Sequence, residues 1–571
     1  MLTNPHSVTT LDFHPNARLH PSPEDWRDQF FYFLLVDRFD NGGTEAPPYR
    51  AGQSAAGADP AQRGQFQGGT LKGITRRLDY IHNLGCTAIW LSPILKNRID
   101  RSDSYHGYGI QDFLEVDPRF GTLADLQQLT REAHKRGLYV ILDIVLNHTG
   151  DVWAYLNDQP YFYNHGETFP FGQWREVDAV PGLQYDDAVW PSELQTPEAF
   201  KREGQIRNWS DPVEARDGDF LSLKELNLPR PEVLDTLIKI YKHWITVADI
   251  DGYRLDTVKH MEDSATAIFC NAIREYAQRL GKYRFFMFGE IVADDATIQR
   301  YLGRNSRIDG TQERFPSLDA ALDFPLYFTL EEVIKGFASP AFLRARYEAF
   351  YQVYTDHGEA GRYFVTFVDN HDQMARPYRR FMHDNPFPRQ AILAIGYLLT
   401  SQGVPCLYYG TEQGFDGGGP DDSYVRECMF GGSWGAFGTA GRQCFNPEHE
   451  IYRGIQAITA IRRQQPALRY GRQYFREISE SGTDFGHPLD GHCTLAYSRI
   501  LDTEEILMAM NLTDQERTDC ITVDRRLSAP GHTLRDLLDP TRRAVIESTP
   551  DGRAFVRLPL APHGLAIMKS G

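Results

Sequence analysis

DGYRLDTVKH, residues 251–260, places two charges, Arg254 and Asp256, in a run whose other members, Tyr253, Leu255 and Val258, belong in a core. Read as a strand, the segment alternates at period two, so Tyr253 and Leu255 face one way and the two charges the other. A protein interior does not accept bare charges, so the pair is either an internal ion pair or the floor of a polar pocket. The surrounding sequence repeats the pattern. Short apolar runs recur at 31–39, 86–94, 138–148, 284–291, 320–328, 362–372 and 403–412, and with 251–256 they number eight. Helical patterns separate them; DLQQLTREAHKRG (125–137), for example, predicts a helix that stops at Gly137. Near-continuous apolar strands suit a parallel sheet covered on both faces. Eight strand–helix units predict an α/β fold, a (β/α)8 TIM barrel, ahead of a doubly wound open sheet.

The rhythm breaks twice. From 148 to 230 the chain is rich in Trp, Tyr, Asp, Gly and Pro without helical period, too long for a loop, which predicts a subdomain inserted after the third strand. Beyond Arg469, segments such as HCTLAYSRI (492–500), EEILMAMNL (504–512) and AFVRLPL (554–560) alternate with turn residues and predict a C-terminal β-sandwich. The division expected is a first barrel part at 1–147, an inserted domain at 148–230, a second barrel part at 231–468 and the sandwich at 469–571.

Composition limits the partners. With 571 residues, 41% hydrophobic and 12% aromatic, the chain reads as a multidomain globular protein and not a disordered one. A formal net charge of −17 without a basic run excludes nucleic acid and anionic lipid as natural partners. No segment is long and apolar enough to span a membrane. The start, MLTNPHSVTTLDFHPNARLHP, lacks the basic and apolar regions of a signal peptide. Seven scattered cysteines with no CxxC argue against a disulfide framework or zinc site, and a reducing cytoplasm fits best.

Polar residues at the carboxyl ends of barrel strands face the side where such folds keep their active sites. Asp256 ends the fourth run, Glu290 the fifth and Asp372 the seventh, each closing an apolar stretch that needs no carboxylate. Any one of them could simply cap a helix or pair with a lysine. Three together, with Arg254, His148 and His371 on the same rim, are what glycoside hydrolysis requires: a nucleophile, a protonated acid, and charge to balance an oxocarbenium-like transition state.

DIVLNH (143–148), DGYRLDTVKH (251–260), GEI (289–291) and FVDNHD (367–372) resemble, in order and spacing, the four motifs of the α-amylase family of glycoside hydrolases. SYHGYGIQDF (104–113), FQGGTLKGI (66–74), DRFDNG (37–42) and GVPCLYYGTEQG (403–414) extend the resemblance over essentially the whole chain. It implies Asp256 as nucleophile, Glu290 as general acid/base and Asp372 as the carboxylate that holds sugar hydroxyls and stabilises the transition state. Arg254 then keeps Asp256 ionised and oriented. By the same resemblance Tyr108, His106, His148 and His371 contact the sugar at the cleavage point, and Lys259 and His260 the leaving-group side. The implied substrate is an α-glucan or oligosaccharide. Hydrolysis and transfer to a sugar acceptor share one intermediate and stay open, as does a non-catalytic carbohydrate-binding relative, since fold does not fix function. The chemistry needs no cofactor. Many relatives hold a structural Ca²⁺, and the matching positions are Asn147, Glu225 and the carbonyl of His260; Glu225 stands where the family usually has Asp. For DRFDNG the preferred reading is a solvated turn at Asp40-Asn41-Gly42, not a second ion site.

Overall fold

The computed structural model describes residues 6–43, 62–177, 183–303, 315–350, 354–355, 358–373, 378–431 and 444–570. Eight parallel strands form one sheet: Phe31–Leu34, Ala88–Leu91, Tyr139–Ile144, Gly252–Leu255, Phe286–Gly289, Ala320–Ala321, Val365–Thr366 and Val404–Tyr408. They neighbour one another in chain order, the eighth lies beside the first, and a single bridge between Leu322 and Val365 joins the sixth to the seventh. Each strand falls in one of the eight apolar runs, and the barrel expected from them is present.

Three runs are much shorter as strands than their sequence suggests, and of 362–372 only Val365–Thr366 is strand. The first ends at Leu34, and Val36–Phe39 is a helical turn. The run 320–328 is strand only at Ala320–Ala321; Phe324–Ile334 is a helix, because the Asp323 side chain accepts from the Leu326 N–H and Pro325 occupies the first turn, where it loses no hydrogen bond. The helix expected before Gly137 runs Leu123–Lys135, with a capping box between Thr122 and Asp125, and Gly137 takes φ +70°.

Between the third and fourth strands the chain makes the expected excursion. His148–Thr149 pairs with Lys224–Glu225, Trp153–Tyr155 with Phe171–Trp174, and Pro212–Asp217 forms a helix. A hairpin unforeseen from the strand pattern, Leu95–Asn97 with Ile110–Val116, follows the second strand, and its Asp112 bridges to Trp190 of the excursion. After the barrel, nine antiparallel strands from Arg472–Phe475 to Leu565–Ser570 enclose their own core, which includes Leu507, Ile521, Ile546, Val556 and Met568. Arg499 ties this unit to the barrel: fully buried, it donates to the carbonyls of Thr400, Leu468 and Gly471, at or just past the ends of the helices Pro388–Thr400 and Pro466–Tyr470, where a cation meets the negative pole of the dipole. Among the described residues no helix is long and apolar enough to cross a membrane.

At the amino end of the barrel Trp26 stacks on Phe286 and closes the floor. Beside it lies a buried charge cluster. His134 Nε2 is 2.8 Å from Asp251 Oδ2, and Lys282 Nζ sits 2.7 Å from Asp251 and 2.8 Å from Asp249. Burial alone would lower the His134 pKa, but its bonds to Asp249 and Asp251 and their charges outweigh it and raise the group to about 9; His20, stacked on the same ring, is lowered chiefly by burial and by His134 itself. A histidine whose folded pKa exceeds its unfolded value of about 6.5 gives its full stabilisation below 6.5 and loses it as pH rises through 9. The melting temperature should therefore fall between pH 6.5 and 9, by the equivalent of about 3 kcal/mol from this group. His134→Gln should flatten that part of the profile. Calorimetry of both proteins across the window checks this, and parallel profiles would rule the cluster out as the cause.

Candidate active site

The fourth strand resolves the question posed by its alternation. Tyr253 points outward and donates to the carbonyl of Tyr241 on the helix Pro231–Ala248, while Arg254, 1% exposed, points into the barrel. In the ladder Arg254 is the register partner of Asp143 on the third strand and of Phe288 on the fifth. Its Nη1 donates to Asp143 Oδ1 and to Asp256 Oδ1, both at 2.7 Å, and its Nη2 to Glu290 Oε2 at 2.5 Å. One guanidinium thus gathers carboxylates carried by three successive strands, Asp143 from within the third and Asp256 and Glu290 from just past the fourth and fifth. Its stacking partners are aromatic, with Trp90 and Tyr108 rings 5.4 and 5.8 Å from the guanidinium carbon.

Backbone geometry fixes the two acids beside it. The Asp256 N–H donates to Ile144 O and the Glu290 N–H to Leu255 O, so each acid leaves its strand at the same height. Gly289 permits this, since a Cβ there would stand 2.6 Å from Leu318 Cδ1 and 2.9 Å from Val258 Cγ2. Thr257, between the nucleophile candidate and the next turn, takes φ +48°, rare for a β-branched residue, and its N–H points to Glu290 Oε2 at 3.3 Å.

A second chain of bonds holds the rim. Asp143 Oδ2 accepts from Trp90 Nε1 at 3.1 Å and from the Tyr108 hydroxyl at 2.9 Å; that hydroxyl lies 2.7 Å from His371 Nε2. Asn370 Oδ1 meets His371 Nδ1 at 2.6 Å and accepts from the Asp372 N–H, and Arg426 Nε donates to the His371 carbonyl. His106 Nδ1 accepts from the Tyr108 N–H. Burial pushes both His106 and His148 down to about 3 and His371 well below its usual value, with Arg426 adding to the effect on His106 and His371, so all three are neutral at ordinary pH. The carboxyls move the other way. Burial, opposed by Arg254, raises Asp143 to about 6 and Asp256 well above its ordinary value, Glu290 adding to the rise of both; burial and Glu290 raise Asp372 to about 7. The cluster therefore retains a proton near neutrality, and that proton belongs to the group of acids as a whole.

His106, Tyr108, His148, Asp256, Glu290, His371, Asp372 and Arg426 border one cavity of about 880 Å³, which opens at the carboxyl end of the barrel. Every substrate-site residue expected from sequence lies on it or under it: Asp256, Glu290, Asp372, Tyr108, His106, His148, Lys259, His260 and His371 on the lining, Arg254 beneath. Sequence reasoning missed Asp143, although it opens the quoted DIVLNH. It also missed the walls. Trp209, Phe220 and Leu221 of the excursion form one side, with Trp209 and Phe220 in edge contact at 4.8 Å; Asp422 and Arg426, ion-paired at 2.7 Å, form the other. Neither set has a local period or motif from which position can be read. The sequence also predicts that loops in 149–230 and around 373–385 choose between water and a sugar acceptor, and of these residues 178–182 and 374–377 lie outside the described residues.

Of the three positions considered for calcium, His260 lies on the cavity lining, and Asn147 and Glu225 are buried side by side. Asn147 Nδ2 donates to Glu225 Oε2 at 2.7 Å, a donor set between two would-be ligands, while Asn147 Oδ1 and Glu225 Oε1 have no hydrogen-bond partner. The His260 ring bonds the Ala215 carbonyl. The ammonium of Lys201 lies 3.7 Å from Glu225 Oε1. Among the described residues no three His, Cys, Asp or Glu side chains are arranged to hold a metal ion. At Asp40 the solvated turn expected from sequence is replaced by a buried acid: its side chain receives the Gly42 N–H and the guanidinium groups of Arg76 and Arg77.

Residues 33–471 match the family model described as alpha amylase, catalytic domain. The chain is 32% identical to an α-amylase of Streptomyces lividans, covering 93% of this chain and 60% of that protein, and 31% identical to a cyclomaltodextrin glucanotransferase of Geobacillus stearothermophilus, covering 89% and 63%. It therefore spans less than two thirds of the length of either. Its fold superposes on the α-amylase of Geobacillus thermoleovorans, solved in complex with acarbose, with a TM-score of 0.70 at 29% identity over 96% of this chain and 99% of that one.

Removing the cation at the centre should expose the charges it holds. Arg254→Met leaves three buried carboxylates without their shared partner, a change of about 3–5 kcal/mol when one member of a buried pair is lost. The deficit should be largest near pH 7 and shrink toward pH 4–5, where the acids take up protons and no longer need a cation. Denaturant melts of wild type and variant at both pH values test this; a deficit independent of pH would mean that Arg254 acts through packing alone.

Proposed function

The chain belongs to the α-amylase family, and on that premise we propose that it is a retaining glycoside hydrolase acting on α-glucosidic bonds of malto-oligosaccharides or related α-glucans. The observation that carries this reading is the placement of Asp256 and Glu290 on neighbouring nitrogens of one guanidinium at the floor of the cavity. Sharing that group keeps the two acids close, as retention needs; in retaining enzymes the two carboxyl groups stand about 5–5.5 Å apart, too near for a water between them.

In this reading Asp256 is the nucleophile. Arg254 counters part of the rise that burial and Glu290 impose on its carboxyl, and anchors Oδ1 at the foot of the cavity. The proton retained by the acid cluster is delivered through Glu290 to the leaving oxygen as the glycosidic bond breaks. Asp372, on the lining of the same cavity, supplies negative charge to the oxocarbenium-like transition state while binding sugar hydroxyls. His106 and His148, kept neutral, offer ring nitrogens to uncharged hydroxyls without adding positive charge beside the developing cation, while neutral His371, its two nitrogens engaged by Tyr108 and Asn370, lines the same pocket. Lys259 and His260 serve the leaving-group side. In the second half Glu290 takes a proton from the incoming nucleophile, which attacks the glycosyl–Asp256 ester and frees the carboxylate.

No cofactor enters these steps. The division of labour is by region: barrel strand ends carry the chemistry, and the excursion at 148–230 contributes one wall. Transfer to a sugar acceptor is the second reading, supported by Trp209 and Phe220, whose apolar faces on that wall suit a pyranose better than a water. The seven cysteines, scattered along the chain without a CxxC pair and six of them buried, support a reducing, cytoplasmic setting.

Replacing the two central acids separates their roles. Asp256→Asn should lower turnover of a glucan by about 10⁴-fold or more. Glu290→Gln should lose about 10²–10⁴-fold, and recover glycosylation in part with an α-glucosyl fluoride, whose leaving group needs no proton. Equal losses on both substrates would deny Glu290 the acid's role.

Stereochemistry tests the double displacement itself. Each attack inverts the anomeric carbon, so an α-glucoside must first release an α product. Proton NMR before mutarotation sees the new anomer, and initial release of the β form would remove Asp256 as nucleophile.

A further inference from the structure

The joint between the excursion and the barrel contains a lysine with an unusual number of oxygen partners. Lys201, 8% exposed, follows the turn Pro197–Ala199 in the excursion. Its Nζ donates to the Arg216 carbonyl at 2.8 Å, to Asp217 Oδ1 at 3.1 Å and to Glu262 Oε1 at 3.0 Å, and lies 3.7 Å from Glu225 Oε1. These oxygens come from three places. Asp217 ends the short helix of the excursion, Glu225 lies on its last strand opposite His148, and Glu262 caps the helix Asp263–Arg279 that follows the fourth barrel strand. Arg216 adds a second cation, 2.7 Å from Asp217 and 3.8 Å from Glu262.

We propose that the ammonium of Lys201 is the resident cation of this joint and takes the part that a divalent ion would play between Asn147, Glu225 and the backbone at His260. A hard divalent cation would need six or more oxygens turned toward it, drawn from these side chains, carbonyls or water. Here Glu225 has one oxygen engaged by the Asn147 amide N–H and the other facing the ammonium. Two positive side chains already stand among the three carboxylates Asp217, Glu225 and Glu262, and a dication in the same volume would face Lys201 at close range in a buried setting. The ammonium instead satisfies its three donors within the chain and binds both sides of the joint at once. The inference is independent of the reaction assigned above, since it concerns how the wall carrying Trp209 and Phe220 is fixed to the barrel, not what the acids do.

Melting temperature with defined cations as probes tests it. Wild-type protein dialysed against a chelator should carry no calcium by elemental analysis, and its melting temperature should be unchanged by chelator or by added millimolar calcium. Lys201→Ala should melt several degrees lower, because it leaves buried acids without their partner, and should now respond to added cation: calcium or an alkylammonium such as propylammonium should restore part of the loss. Wild type should show no such rise under the same additions. A chelator that lowers the wild-type melting temperature, reversed by calcium, would overturn the proposal, as would a Lys201→Ala protein as stable as wild type or indifferent to both cations. If Lys201→Ala yields no folded protein, the wild-type arm decides alone.

Discussion

One buried guanidinium holds the centre of this molecule together. Arg254 lies inside the barrel at the level where the third, fourth and fifth strands end, and each of those strands presents an acid to it, from within the third and from just past the other two. Bringing such groups out of water costs more than any single pair returns, so the arrangement is stable only while every member is present and the geometry is tight. That requirement reaches outward. Asp143 needs Trp90 and Tyr108 for its second oxygen, Tyr108 needs His371, and His371 needs Asn370, so the rim on the far side of the cavity is in register with the acids through unbroken contacts. Strain is accepted in the same place, at Thr257 with its positive φ, where the backbone must turn sharply to aim an N–H at Glu290.

The parts of this fold that sequence makes visible are those whose burial is symmetrical. A parallel strand covered on both faces is apolar at every position, so a single acid inside it stands out, and Asp256, Glu290 and Asp372 are found that way. Asp143 carries the same signal but sits before its strand ends, where an acid reads as part of the run and not as its terminus. The helix Phe324–Ile334 fails for the opposite reason: it is apolar on nearly every side, so helical period is lost and only Asp323 and Pro325 betray its start. Trp209, Phe220, Asp422 and Arg426 are positioned by loops without period, and their meeting at one cavity is a product of tertiary folding. Lys201 is less legible still, since nothing near it in sequence distinguishes it from a surface lysine.

The two sides of the cavity are held by different physics. Strand ends fix the acids, and ladder hydrogen bonds leave little freedom there. The wall from the excursion is fixed by ion pairs, by the short pairing of His148–Thr149 with Lys224–Glu225 and by residues such as Trp153, Val189 and Phe200 that join the barrel's core, which makes its position sensitive to charge as well as to packing. The aromatic face of that wall, Trp209 and Phe220, and the clamp of Arg254 on the acids thus rest on separate contacts.

The barrel's closure is unequal around the ring. The sixth and seventh strands contribute two residues each, and one bridge between Leu322 and Val365 spans them, whereas the third and fourth share a ladder of four. Amide protection follows the free energy of local opening, which is lowest where few ladder bonds must break. Slow exchange should thus concentrate beneath Asp256 and Glu290, and fast exchange along the seam that leads to Asp372. Asp256 and Glu290, proposed above as nucleophile and acid/base, ride on the stiffest arc of the barrel, and Asp372 rides on the arc that yields most easily.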